Sequence, residues 1–215
     1  MKILLTGFEP FGGESINPAF EILKLLPDNI GDAALVKREI PVSFKESLIA
    51  LDKIIEEEKP DVVLSLGQSG GAFGLRVEKV GLNLKESESA DNDGYRPSDE
   101  KIHEDGAVAY YASLPVKAMV KRIRQGNVPA FVSYSAGTYV CNNVLYGLLY
   151  LNNTKYNGKM RCGFIHVPYF SQQIIDKRNT FYMSPEEMKR GIELAVNAIL
   201  ENEKDIDFID YPKKD

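Results

Sequence analysis

Short apolar runs alternate with helix-period segments along the chain, and this alternation limits the fold more than any other feature. Strands separated by amphipathic helices build an α/β architecture around a largely parallel, twisted sheet. "KILLTGF" (Lys2–Phe8) reads as a buried first strand ending in a glycine-rich loop, and "AFEILKLL" as a helix with Pro18 suited to its first turn. "ALVKREIPV" is a second strand. "SFKESLIALDKIIEEEK" opens on Ser43 with Glu46 three residues later, a capping-box signature, and Phe44, Leu48, Leu51 and Ile55 recur at helical spacing. "DVVLSLG" (Asp61–Gly67) is a third, fully buried strand. "LRVEKVGLNL" alternates like a strand or hairpin arm, with Val77, Val80, Leu82 and Leu84 apolar. Residues 85–107 are polar and rich in turn formers, the pattern of a long surface loop. A helix ("LPVKAMVKRIRQG"), a strand ("PAFVSYS"), a helix ("GTYVCNNVLYGLLYLN"), a strand ("RCGFIHVPY") and a capped helix opening at Pro185 follow. No repeat, low-complexity tract or linker interrupts the series, so residues 1–215 are expected to form a single domain.

Charge narrows what such a chain binds. The net charge of −5 and the lack of a Lys/Arg run weigh against nucleic acid and anionic membranes as partners. No stretch reaches the roughly 18–20 apolar residues that span a bilayer. "MKILLTGFEPFGG" breaks into glycine and proline too early for a secretory signal, so a cytoplasmic location is expected. In that reducing compartment the two cysteines, Cys141 and Cys162, are expected to stay unpaired. His103 and His166 form no closely spaced His/Cys cluster, and no metal is expected.

In open α/β sheets, sites collect beyond the carboxyl ends of the strands. That rule nominates residues 7–17, 68–78, 135–141 and 166–170. "GQSGG" (Gly67–Gly71) satisfies the G-x-S-x-G pattern of a serine-hydrolase nucleophile elbow, but strand-like alternation follows it where an elbow needs a helix. "GFEPFGG" lacks the signature of a phosphate or dinucleotide loop, and Phe8 and Phe11 read equally as core plugs or as a ligand cage. Cys141 is either a small apolar filler or a reactive thiol. Its place in the first turn of a helix favours a thiolate, through unpaired N–H groups and the helix dipole. Cys162, within a strand pattern, reads as core. His166 closes "CGFIHVP" and suits a general base. Glu78 is either solvent-facing or the group that orients His166, and periodicity does not decide between them.

Taken together, "LLTGFEPFGGESINPA", "LSLGQSGG", "VEKVGLN", "SAGTYVCNNVLYGLL" and "GFIHVP" resemble pyroglutamyl peptidase I, a family of cysteine peptidases, from Lys2 to about Phe170. The resemblance implies an α/β/α sandwich and a catalytic triad of Glu78, Cys141 and His166. It also implies a pocket for a five-membered lactam formed by Phe8, Phe11, Asn17, Gln68 and Val140. Activity would be removal of an N-terminal pyroglutamyl residue from peptides through a thioester, with no metal or cofactor, by a homo-oligomer such as a tetramer. Relatives usually carry alanine where Ser69 stands, which counts against a serine nucleophile. The chain departs from the family pattern at Ala72, Lys79 and Glu88, where relatives often carry arginine, and arginine and lysine are not interchangeable at bidentate sites. Two rival readings follow: a serine esterase using Ser69, and a catalytically weakened pyroglutamyl-binding protein.

Overall fold

The computed structural model describes residues 1–208. The first strand forms as β1 (Lys2–Phe8), and its last apolar residues lead into the loop that ends at helix α1 (Pro18–Leu25). Asn17 caps α1 by accepting from the Ala19 N–H, and Pro18 occupies the first helical position, where its missing N–H costs nothing. A two-residue strand β2 (Asn29–Ile30) precedes β3 (Ala33–Ile40). Helix α2 (Glu46–Glu58) starts two residues later than the capping signature implies. Ser43 Oγ does accept from the Glu46 N–H at 3.0 Å, but this bond closes a turn ahead of the helix.

β4 (Val62–Gln68) is buried almost throughout, as its unbroken apolar run requires. The alternating stretch that follows divides at Lys79 into β5 (Leu75–Glu78) and β6 (Val80–Leu82). β6 pairs with β7 (Ala109–Tyr111), a short strand that the polar sequence around it conceals. Helix α3 (Val116–Gln125), strand β8 (Ala130–Ser133), helix α4 (Val140–Thr154), strand β9 (Arg161–Val167) and helix α5 (Pro185–Glu201) complete the order. At α5 the capping box is complete, with Ser184 and Glu187 serving each other's backbone.

The main sheet runs β2-β3-β1-β4-β9-β5-β8. β3, β1, β4 and β9 are mutually parallel, whereas β5 lies antiparallel to β9 and carries β8 parallel to itself. The reversal has a simple cause. Residues 69–74 return the chain at the same end of the sheet with no crossover helix, so the next strand must run the other way. Glu78 therefore does not lie in a loop beyond a carboxyl strand end, as the nominated segment 68–78 implied. It sits inside the sheet, opposite Phe164 of β9.

One face of the sheet packs against α1, α3 and α5 through a core that includes Leu5, Leu64, Leu66, Ile165, Val120 and Ile192. The other packs against α2 and α4, with Leu4, Val63, Phe164, Leu51, Val144 and Leu148 at its centre. The architecture is thus an α/β/α sandwich. Among the described residues, no helix is long and apolar enough to cross a membrane.

Candidate active site

The α2/α4 face holds the reactive groups because strand alternation aims them there. Phe164 and His166 project from β9 toward this face, and Arg76 and Glu78 stand opposite His166 and Phe164 in the antiparallel ladder. Helix α4 lies across them. Cys141 is its second residue, half-buried, and the residue before the helix, Tyr139, caps the N-terminus with no side-chain hydrogen bond. Close approach is possible because residue 67 of β4 is glycine. A Cβ there would fall 2.7 Å from Cys141 Sγ and 2.7 Å from the Phe164 ring.

Glu78 is fully buried and His166 nearly so. Glu78 Oε1 lies 2.7 Å from His166 Nδ1, and this bond leaves Nε2 of the imidazole for the Cys141 thiol, to which the ring is also hydrogen bonded. Burial lowers the proton affinity of His166. The charge and hydrogen bond of Cys141, with those of Glu78, outweigh it and push the histidine up to about 9. Cys162, on the same strand, differs in kind. It is wholly enclosed, and burial alone pushes its thiol up, which keeps it protonated and inert.

Around this line stand the remaining residues named from the sequence. Phe8 is buried, its ring 6.4 Å from that of Phe164, which in turn lies 4.9 Å from the imidazole. Phe11 is half-buried against Tyr139, ring centres 6.2 Å apart. Val140, at the start of α4, is closed from solvent. Asn17 directs both ends of its amide to backbone, Oδ1 accepting from Ala19 and Nδ2 donating to the Glu9 carbonyl at 2.9 Å. Gln68 follows Gly67 on β4, so its side chain points to the opposite face, where Oε1 accepts from Gln173 Nε2 at 2.9 Å. What Gln68 offers on the Cys141 side is backbone, since pairing of β4 with β1 stops at Thr6 and Ser65. Ser69 is no nucleophile elbow. Its loop runs into β5, not a helix, and its hydroxyl accepts from Arg76.

A family model described as pyroglutamyl peptidase matches residues 1–202. The chain belongs to the pyroglutamyl peptidase family. A pyrrolidone-carboxylate peptidase of Clostridium perfringens is 51% identical over 206 residues, 96% of each chain. One from Thermosipho africanus is 48% identical over 205 residues, covering 95% of this chain and all of its own. The crystal structure of Bacillus amyloliquefaciens pyroglutamyl peptidase I superimposes with a TM-score of 0.92 at 37% identity, covering 95% of this chain and 99% of that one. The pyrrolidone carboxyl peptidase of Thermococcus litoralis does so at 0.88 and 43%, over 93% of both chains.

Within this pyroglutamyl peptidase, the positions that depart from the family pattern lie apart from the Glu78–His166 pair. Lys79 reaches out to Asp205 at 3.3 Å. Ala72 is buried in the turn closed by its own N–H to the Ser69 carbonyl. Glu88 lines a cleft of about 510 Å³ with Glu86, Arg96, Thr138 and Tyr139. Sequence reasoning missed Arg76. Its i, i+2 spacing from Glu78 was the available signal, because it puts both on one strand face.

Proposed function

We propose that Cys141, His166 and Glu78 make this chain a cysteine exopeptidase that removes an N-terminal pyroglutamyl residue from peptides. The observation that carries the reading is the buried run from Glu78 through His166 to a thiol at a helix start. Cys141, as thiolate against the imidazolium, attacks the carbonyl joining the pyroglutamyl group to the next residue. His166 protonates the departing amine, then takes a proton from water as the water opens the thioester. Glu78 holds the ring in register and stabilises its cationic form. Backbone N–H groups at the start of α4, that of Cys141 included, face the developing oxyanion. Removing one such donor typically costs about 3 kcal/mol of barrier, roughly a hundredfold in rate.

A pyroglutamyl terminus carries no α-ammonium, so its recognition is neutral. Phe11 supplies apolar surface for the lactam, and the buried Phe8 and Val140 belong to the core it packs on. Asn17 shapes the loop that carries Phe11, and Gln68 contributes through its main chain. A single domain over residues 1–215 and a homo-oligomer such as a tetramer complete the proposal, and sedimentation that returned only the 24.0 kDa monomer would reject the latter. A cytoplasmic location accords with two free cysteines.

Release of a reporter amine from a pyroglutamyl amide tests the chemistry. Turnover should vanish on treatment with a thiol alkylating agent and fall by about 10³-fold or more in Cys141→Ala, while Cys162→Ala keeps it. Alkylation-resistant turnover would return the serine esterase to favour. Lactam binding without turnover would leave the weakened binding protein.

A further inference from the structure

Glu78 is wholly buried, yet only Oε1 meets the imidazole, and Oε2 has no hydrogen-bond partner. A carboxylate so enclosed is costly without a counter-charge. Whenever His166 gives up its proton, the cation beside Glu78 disappears. Among the described residues, the other cation within ion-pair distance is Arg76, whose Nε lies 3.8 Å from Glu78 Oε1. That Nε is buried and makes no hydrogen bond. The outer nitrogens are tethered instead. Nη1 donates to Ser69 Oγ at 3.4 Å, and Nη2 to Ser133 Oγ at 3.0 Å and the Ser135 carbonyl at 2.9 Å. The tethers come from the loop after β4 and from the end of β8, the two segments flanking β5.

We infer that Arg76 is a positioning residue of the triad, compensating the buried charge of Glu78 and holding it fixed while His166 alternates between imidazolium and imidazole, with Ser69 and Ser133 holding Arg76 in turn. The inference rests on the thiol-peptidase reading above. It also gives the serine of "GQSGG" a role, as a tether and not a nucleophile. The ionisable groups joined to Glu78 on β5 are His166 on β9 and, through it, Cys141 at the start of α4, whose charge also acts on Tyr139. Removing a cation from among them makes loss of the His166 proton harder, so the titration of His166, and with it the reactivity of the thiol it bonds, moves to higher pH.

Two readouts test this. One is the pH dependence of kcat/KM on a pyroglutamyl amide; the other is the pH dependence of Cys141 alkylation by iodoacetamide, which needs no substrate. In Arg76→Met both profiles should move up by about one pH unit, and kcat at pH 7 should fall on the order of tenfold with little change in KM. Arg76→Lys should recover most of the loss by restoring the cation. Ser69→Ala should move the alkylation profile in the same direction by a smaller amount, and carries the test if Arg76→Met folds poorly. Profiles that stay in place in Arg76→Met, or in Ser69→Ala where the first variant is unstable, overturn the inference. Failure of the wild-type protein to cleave the amide would reject the proposed function, while the alkylation profile would still decide the role of Arg76.

Discussion

At the scale of single residues, the site depends on one absent side chain and one shared proton. Gly67→Ala places a methyl where Cys141 Sγ and the Phe164 ring already are, 2.7 Å from each. The strand backbone is extended there and tolerates alanine, so the expected outcome is displacement of the thiol with the fold retained. A misplacement of about 1 Å costs on the order of a hundredfold in kcat, measurable on a pyroglutamyl amide alongside an unchanged circular dichroism spectrum. His166 sets the pH dependence. Its folded value near 9 lies above the ordinary histidine value, so the pair stabilises the fold fully at acid pH and loses that contribution as pH rises through about 9. Alkaline loss of kcat/KM should follow the same titration, because in the proposed mechanism the imidazolium is the acid that releases the amine. The difference in melting temperature between wild type and His166→Asn should shrink from pH 6 to pH 10. A difference that grew over that range would contradict the sign.

At the scale of elements, α4 both presents Cys141 and holds down the long polar segment after β6. Thr138, just before the helix, and Asn142, Tyr146 and Tyr150 within it recur every four residues. Thr138 donates to the Glu86 carbonyl, Tyr146 to the Ala107 carbonyl, and Tyr150 to the Asp105 carboxylate. Asn142, fully buried, takes the Leu82 N–H and gives its own hydrogens to the Leu82 and Leu84 carbonyls, each at 2.9 Å. Asn142→Ala takes the side-chain partner from the Leu82 N–H and the Leu84 carbonyl, while the Leu82 carbonyl keeps the Leu84 N–H at 2.8 Å. The expected cost is on the order of 3 kcal/mol, read as a lower urea midpoint. Activity should fall as well, because β6 continues from the strand that bears Glu78. This stripe was visible in the sequence as spacing, yet its partners were not, since they lie 39–60 positions away in the chain. The same limit explains the other misreadings. Local periodicity located the helices and buried strands, because burial of one face writes itself into consecutive residues. It could not show that β5 and β8 run backwards, or that Ala109–Tyr111 pairs with β6, because partner choice is not a local property. The motifs around Cys141, His166 and Glu78 named three residues that the fold brings together, but they carried no direction for the Gln68 side chain, which strand phase turns to the opposite face.

At the scale of the whole molecule, the sheet interleaves both ends of the chain. β1 pairs with β4, β9 follows β4, and β5, from the middle of the sequence, closes on β9. Helix α5 packs into the same core as α1 and α3. No cut through the sequence would leave two intact cores, so the described chain should unfold as one cooperative unit. Cys162 supplies the probe. It lies in β9 beneath α2 and α4, with no exposed surface, and its backbone N–H is held by Ser113 Oγ at 2.8 Å. A thiol so enclosed reacts only when that face of the sheet opens. In a Cys141→Ala background, labelling of Cys162 along a urea gradient should share one midpoint with far-ultraviolet circular dichroism and with the fluorescence of the 11 tyrosines. Labelling that began well below that midpoint would mean the α2/α4 layer parts from the sheet on its own. The layer carrying Cys141 would then be a separate folding unit, and the expectation of a single domain would fall with it.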